Sequence, residues 1–325
     1  MTQQVLANSL LRMTQTSFLR PTFIRKQSSI ATMKFKTINL TSPKPFVFHV
    51  ELNRPEKLNS FNHEMFIEFT DCFKALHNDE DCRVVLLSGA GRMFSAGLDL
   101  TAAMKMGEVL AEQEDVARRC KIFREKITTY QEAMSAPETC IKPVISLVHN
   151  GCIGAGANLI TAVDIRYCTE DTYFQVKEVE LGMAADIGAL QRLPLIIGNA
   201  SLVNELCLTG RKIGAKESLE AGLVSKVFKD KESMIASGIE LAESLAQKSP
   251  VAVQMTKRNI LYSRDYGVKA GLQHISTYFI DARMCPRRVS DPKADWNQVM
   301  LQSEDFMNAA MALATKSPPP TFSKL

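Results

Sequence analysis

Two short glycine-containing segments carry residues with which a backbone can do chemistry. They are Phe94-Ser95-Ala96-Gly97-Leu98-Asp99-Leu100 and Asn150-Gly151-Cys152-Ile153-Gly154-Ala155-Gly156-Ala157-Asn158. Each follows an apolar, strand-like run. Glycine at a strand-to-helix junction lets backbone N–H groups face a ligand, and a helix N-terminus adds partial positive charge. One such segment is what many tight turns look like. Two can aim a pair of donors at a single oxygen, the arrangement that stabilises an oxyanion. Downstream stand two carboxylates, Glu178 and Asp186. Taken alone, Glu178 is compatible with a surface acid, and Asp186 with an N-cap for a helix predicted over residues 187–193.

The elements that must position these residues follow from periodicity. Residues 46–52 alternate and are rich in β-formers, which predicts a strand ended by Asn53-Arg54-Pro55. Met65, Phe66, Phe69, Cys72, Phe73 and Leu76 fall at helical spacing within residues 62–78. Val84 to Leu87 and Pro143 to Val148 read as buried strands, and Asp164 to Cys168 and Tyr173 to Val176 as short ones. A long amphipathic helix is predicted over 109–135, with others near 187–193, 199–208 and 232–247. Alternating strand and helix patterns specify an α/β class with a mainly parallel sheet. After Ser249-Pro250, an N-cap followed by proline at the first helical position, the chain reads as helix to about residue 315. The expected organisation is a leader over 1–33, a core over 34–248, a helical C-terminal region over 249–315 and an exposed tail over 316–325.

Composition narrows the function classes. No stretch approaches the ~18 apolar residues that a membrane-spanning helix needs. The first fifty residues hold seven basic side chains and no acid, so the remainder carries 32 basic against 35 acidic residues, a net −3. A slightly acidic body gives no support to electrostatic nucleic-acid binding. The eight cysteines (72, 82, 120, 140, 152, 168, 207 and 285) form no CxxC pair and no Cys/His ligand spacing. They read as reduced thiols packed as small hydrophobes, with no metal site. Residues 1–33, rich in Arg, Ser and Thr with interspersed Leu and Phe, have the composition of a mitochondrial transit peptide. Ser323-Lys324-Leu325 form the S-K-L tripeptide read by the peroxisomal import receptor, and Pro318-Pro319-Pro320 would hold it clear of the fold. Both addresses on one chain predict a mitochondrial matrix and a peroxisomal location.

At the two glycine segments the chain resembles the crotonase, or enoyl-CoA hydratase/isomerase, superfamily, from about Phe46 to the C-terminus. Leu52-Asn53-Arg54-Pro55, Lys142-Pro143-Val144-Ile145 and Asp164-Ile165-Arg166-Tyr167 support it. The run from Phe174 to Asp186 is most similar to the dienoyl-CoA isomerase branch. The resemblance implies a spiral of ββα units, a C-terminal trimerisation region giving a homotrimer or homohexamer, and an acyl-CoA thioester as substrate. No separate cofactor is implied, because coenzyme A is part of the substrate. The family's oxyanion donors map onto the backbone N–H groups of Leu98 and Ala155, within a substrate-binding segment that includes Ala96, Gly97, Asp99 and Leu100. Ala155 stands where the family usually has Gly, which adds a methyl beside the thioester.

The same resemblance implies that Glu178 is the catalytic Glu shared by hydratases and isomerases, and Asp186 the acid peculiar to dienoyl-CoA isomerases. Moving a 3,5-diene into 2,4 conjugation takes a proton from C2 and delivers one to C6, so two groups spaced along the acyl chain are needed. Two departures stand out. Asn158 lies where hydratases carry a second catalytic Glu and dienoyl isomerases an Asp, and an amide exchanges no proton at neutral pH. Residues 281–295, including Pro286-Arg287-Arg288, read as an insertion in the helical region. The alternatives are a Δ3-Δ2-enoyl-CoA isomerase, which needs only Glu178 as a proton shuttle, and an acyl-CoA-binding homologue impaired by Asn158.

Overall fold

The computed structural model describes residues 30, 33–111, 115–276, 304–318 and 320–323. Most of the leader, the 281–295 insertion and the last two residues of the tripeptide, Lys324 and Leu325, lie outside them. A six-stranded sheet runs in the order β1 (Ile38–Lys44), β2 (Val47–Leu52), β3 (Val84–Gly89), β4 (Val144–Val148), β6 (Ile165–Thr169) and β9 (Lys226–Phe228). Only the β1–β2 pair is antiparallel; the rest is parallel. A second sheet joins β5 (Gly151–Ile153), β7 (Tyr173–Gln175) and β8 (Ile213–Gly214).

The period-2 alternation of side chains sorts the core into two layers. Val85 and Leu87 of β3 face the main core, with Phe61, Phe66, Phe69 and Phe73, most of them on α1 (His63–Asn78). Val84 and Leu86 face the other way, onto Met234, Ala242 and Ala246 of α8 (Lys231–Ala246). A strand covered on both faces shows no polar alternation, and every residue of β3 is buried.

Between β3 and β4 run α2 (Leu100–Ala111) and α3 (Val116–Thr139). The single helix predicted over 109–135 is therefore two. Asp115 starts the second, its carboxylate accepting from the Ala117 N–H at 3.1 Å, a cap that the apolar periodicity on either side conceals. The short helix α4 (Ala155–Ile160) follows β5; α5 (Ala189–Ile196), α6 (Ala200–Thr209) and α7 (Ala215–Glu220) follow β7 and β8. The seven described cysteines are free thiols. No helix among the described residues is long and apolar enough to cross a membrane.

The C-terminal region comprises α9 (Pro250–Tyr266), α10 (Val268–Ser276) and α11 (Glu304–Thr315). The Ser249 hydroxyl caps α9, donated to by the Ala252 N–H. One buried cation fastens α9 to the core. Lys257 Nζ lies 2.8 Å from Asp164 Oδ2 and donates to the carbonyls of Pro137 (2.8 Å) and Lys142 (3.0 Å). Lys257→Met removes the charge while keeping the bulk, takes the cation from Asp164, which keeps only the Val144 N–H, and removes the lysine donor from two buried carbonyls. We expect a loss of ~3 kcal/mol, at the low end for breaking a buried pair because Asp164 is partly exposed. A lowered urea midpoint would register it, and an unchanged midpoint would show that the pair does not hold the helix. At the end of the chain, Arg83 donates to the main-chain carbonyls of Phe322 (2.8 Å) and Ser323 (3.2 Å).

Candidate active site

Because β3 and β4 are parallel neighbours, they deliver both glycine segments to one edge of the sheet. The segments then pair. The Ser95 N–H donates to Gly151 O at 3.1 Å, and the Ile153 N–H to Ser95 O at 3.0 Å. The approach is so close that a Cβ on Gly97 would sit 2.8 Å from Ile153 O and 3.5 Å from Ala155 N. Gly97 and Gly154 also have φ of +94° and +49°, which side-chain-bearing residues seldom adopt.

Phe61 grips the first segment from its other side. Its N–H donates to Gly97 O at 2.7 Å, and its carbonyl accepts from the Asp99 N–H at 2.9 Å. In such extended pairing alternate residues turn their N–H groups to opposite sides, so the Leu98 N–H faces away from Phe61. Ala155 opens α4 behind Gly154, whose position supplies no capping side chain. Neither the Leu98 nor the Ala155 N–H is engaged in a hydrogen bond among the described residues. The Ala155 methyl belongs to the main core.

The other residues expected in this segment have structural work. The Ala96 N–H donates to Leu58 O at 2.9 Å. Asp99 accepts from the Ala102 N–H at the start of α2 and pairs with Arg54 at 3.1 Å. Burial pushes the Asp99 carboxyl up, but the Ala102 N–H and the Arg54 guanidinium together hold it below its ordinary value. Leu100 is half exposed.

Glu178 begins a 3-10 turn, Glu178–Leu181, that Gly182 closes in the left-handed conformation. The Gly154 N–H donates to Gln175 O, tying the end of β7 to the second glycine segment. The carboxylate therefore lands beside both: a Cβ on Gly154 would lie 3.6 Å from Glu178 Oε1 and 3.8 Å from Gly97 Cα. Glu178 is 9% exposed. Oε1 accepts from Asn158 Nδ2 at 2.8 Å, while Oε2 is buried with no hydrogen-bond partner. Burial pushes this carboxyl up, and the charge of Asp186 adds to the push. Main-chain N–H groups and the Asn158 amide pull it down, without prevailing.

Asp186 lies in the turn before α5. It does not cap that helix: Gly188 occupies the N-cap with no side-chain bond, and the first N–H of α5, on Ala189, is satisfied by Asn158 Oδ1 at 2.7 Å. Capping by Asp186 is thus excluded, because the helix starts later than its periodicity indicates and a buried amide already serves its first donor. The Asp186 side chain is exposed. Its main-chain carbonyl is held by Gln131 Nε2 of α3 at 2.7 Å. Arg192 of α5 further locks this region through Glu138 of α3 (2.8 Å), which also takes Arg264 of α9 (2.6 Å). Sequence reasoning missed Gln131, Glu138 and Arg192. Nothing local marks them, since their partners lie more than fifty residues away.

A cleft of about 680 Å³ between α1 and α3 does not include Glu178. A second, about 550 Å³ along α3, is lined by Arg119, Phe123, Arg124, Ile127 and Gln131 among others.

Residues 44–276 match the sequence profile of enoyl-CoA hydratase/isomerase. The chain belongs to the enoyl-CoA hydratase/isomerase family. The mitochondrial Δ(3,5)-Δ(2,4)-dienoyl-CoA isomerase of Pongo abelii is 47% identical over 296 residues, 90% of this chain and 84% of that protein. The peroxisomal enzyme of that name from Arabidopsis thaliana is 40% identical, over 86% and 93% respectively. Among solved structures, an enoyl-CoA hydratase from Bacillus anthracis superposes with a TM-score of 0.73 at 26% identity, over 88% of this chain and 98% of that one. The α/β crotonase fold of the enoyl-CoA hydratase/isomerase family, expected from the sequence, is the fold of this chain.

Proposed function

We propose that this chain isomerises 3,5-dienoyl-CoA to 2,4-dienoyl-CoA in the β-oxidation of unsaturated fatty acids. The observation that carries the reading is a buried carboxylate, Glu178, set beside two paired segments with unengaged N–H donors and under the influence of the charge of Asp186. The thioester carbonyl binds between the Leu98 and Ala155 N–H groups. Glu178 takes the C2 proton; the C2–H electrons form a C1–C2 double bond and push the carbonyl electrons onto the thioester oxygen, where the two donors hold the charge until it returns through the diene to C6. Asp186 gives a proton to C6 as the dienolate collapses, and its exposure lets it exchange protons with water. Only protons move, so the reaction itself calls for no cofactor or metal. Hydration would need two acids on one water, and Asn158 supplies none.

The groove along α3, lined by Arg119 and Arg124 together with Phe123 and Ile127, supports a ligand with both phosphates and an apolar chain. The names of the Pongo abelii and Arabidopsis thaliana relatives support the mitochondrial and peroxisomal addresses read at residues 1–33 and Ser323-Lys324-Leu325. Val179 and Leu181 on the Glu178–Leu181 turn and Met183 just after it, all more than 40% exposed, favour assembly into a homotrimer or homohexamer. Light scattering should then give three or six times the 36.1 kDa chain mass.

The deciding assay incubates the purified protein separately with 3,5-dienoyl-CoA and 3-enoyl-CoA and follows absorbance of the conjugated products. Turnover of the dienoyl substrate is expected. Turnover of 3-enoyl-CoA alone would replace this reading with the simpler isomerase, and inertness toward both would leave an acyl-CoA-binding protein. The oxyanion site has its own test. Gly97→Ala forces the two segments apart by several tenths of an ångström, so kcat should fall by about tenfold or more, with intact folding by circular dichroism. Unchanged kcat would remove the paired segments from the mechanism.

A further inference from the structure

Resting on the proposed proton transfer, the geometry points to Asn158 as a positioning residue whose amide does permanently what a protonated carboxyl would do at that place. Asn158 is fully buried, and its side chain makes three hydrogen bonds. Nδ2 donates to Gly154 O (2.9 Å) and to Glu178 Oε1 (2.8 Å), and Oδ1 accepts from the Ala189 N–H (2.7 Å). The orientation of the amide is forced, because a main-chain N–H only donates and a main-chain carbonyl only accepts. One side chain therefore joins the oxyanion turn, the base and the start of α5, two residues beyond the Asp186-Ile187 pair. It fixes which oxygen of Glu178 is occupied, leaving Oε2 as the unpartnered one.

A carboxylate at 158 could keep the Ala189 contact. Its other oxygen would face two acceptors, Gly154 O and Glu178 Oε1, and could restore one of those bonds only by carrying a proton. Such a site would work only below the pH at which that proton leaves. Asn158 removes the dependence, so it sharpens the base instead of impairing it.

The charged and titratable groups around Glu178 are Asp186 before α5, Cys207 on α6, and Lys177 and Glu180 on its own turn, which pair with each other at 3.8 Å. None of them lies on α4. A change of the base's titration in variants at 158 is therefore assignable to that position.

The test compares wild type with Asn158→Asp and Asn158→Ala. Two readouts are used: the pH profile of kcat/KM, and a carbon-13 NMR titration of the Glu178 carboxyl, which requires no turnover. In Asn158→Asp the carboxyl titration should become a coupled two-step curve, and the acidic limb of kcat/KM should move upward by about one pH unit. In Asn158→Ala, loss of the donor alone should move it up by less and lower kcat by about tenfold with KM little changed. Glu178 titrations that superimpose on wild type in both variants would overturn the assignment. If the wild type turns over neither substrate, the proposed function fails while the NMR titration still decides this one. Should Asn158→Asp not fold, Asn158→Ala carries the same comparison.

Discussion

Glu178→Gln should lower kcat by at least ~10²-fold, the loss expected when a general base disappears. The isosteric amide can keep its oxygen on Asn158 Nδ2, so the pocket's shape survives. No ion pair is broken. Indeed the fold should be unharmed or slightly more stable at neutral pH. A carboxyl whose folded value is raised by burial binds protons more readily in the folded state. Once the pH exceeds its unfolded value, its ionisation costs the folded protein, and a neutral amide escapes that cost. The same sign fixes the pH dependence of the wild type. The base acts when ionised, so kcat/KM falls as the pH drops through a value above the ordinary Glu range. Stopped-flow kinetics with a parallel thermal melt separate the two effects. Near-normal turnover in the variant would take Glu178 out of the mechanism.

Asp186→Asn should abolish formation of the 2,4-dienoyl product, by ~10²-fold or more, while exchange of the C2 proton with deuterium from solvent continues. Glu178 still removes that proton, and the dienolate, unable to collect a proton at C6, returns it to C2. Stability should change by less than ~0.5 kcal/mol, as for an exposed side chain that makes no cap. The loop is held instead through its main chain by Gln131. Mass spectrometry of recovered substrate in deuterium oxide reads the exchange. Loss of exchange together with product would show that Asp186 serves the shape of the site and not the C6 step.

The parts of this site that were legible in the chain are those that local chemistry encodes. Alternation marks β2, apolar runs mark the buried strands β3 and β4, and glycine after a strand marks where backbone donors can be presented. The two glycine segments and the run from Phe174 to Asp186 carry the family resemblance, and Asn158, at the end of the second segment, departs from it. The antiparallel strand β1 escaped notice, because Thr41, Ser42 and Pro43 hide its alternation. The helix over 109–135 was read as continuous, because an N-cap such as Asp115 breaks a helix without breaking its hydrophobic period.

Sequence alone determined the α/β class, the two donor segments and the two carboxylates, since each depends on a residue's type and its near neighbours. Tertiary structure decided which of those residues meet. Ser95 and Cys152 become partners through the parallel register of neighbouring strands. Asn158 reaches Glu178 across twenty residues and Ala189 across thirty-one, and Gln131 reaches Asp186 across fifty-five. Those bonds form only once the sheet has closed the intervening chain. The physical reason is one of range: side-chain periodicity acts over a turn or a strand, whereas a hydrogen bond is satisfied by whatever the fold brings within about 3 Å.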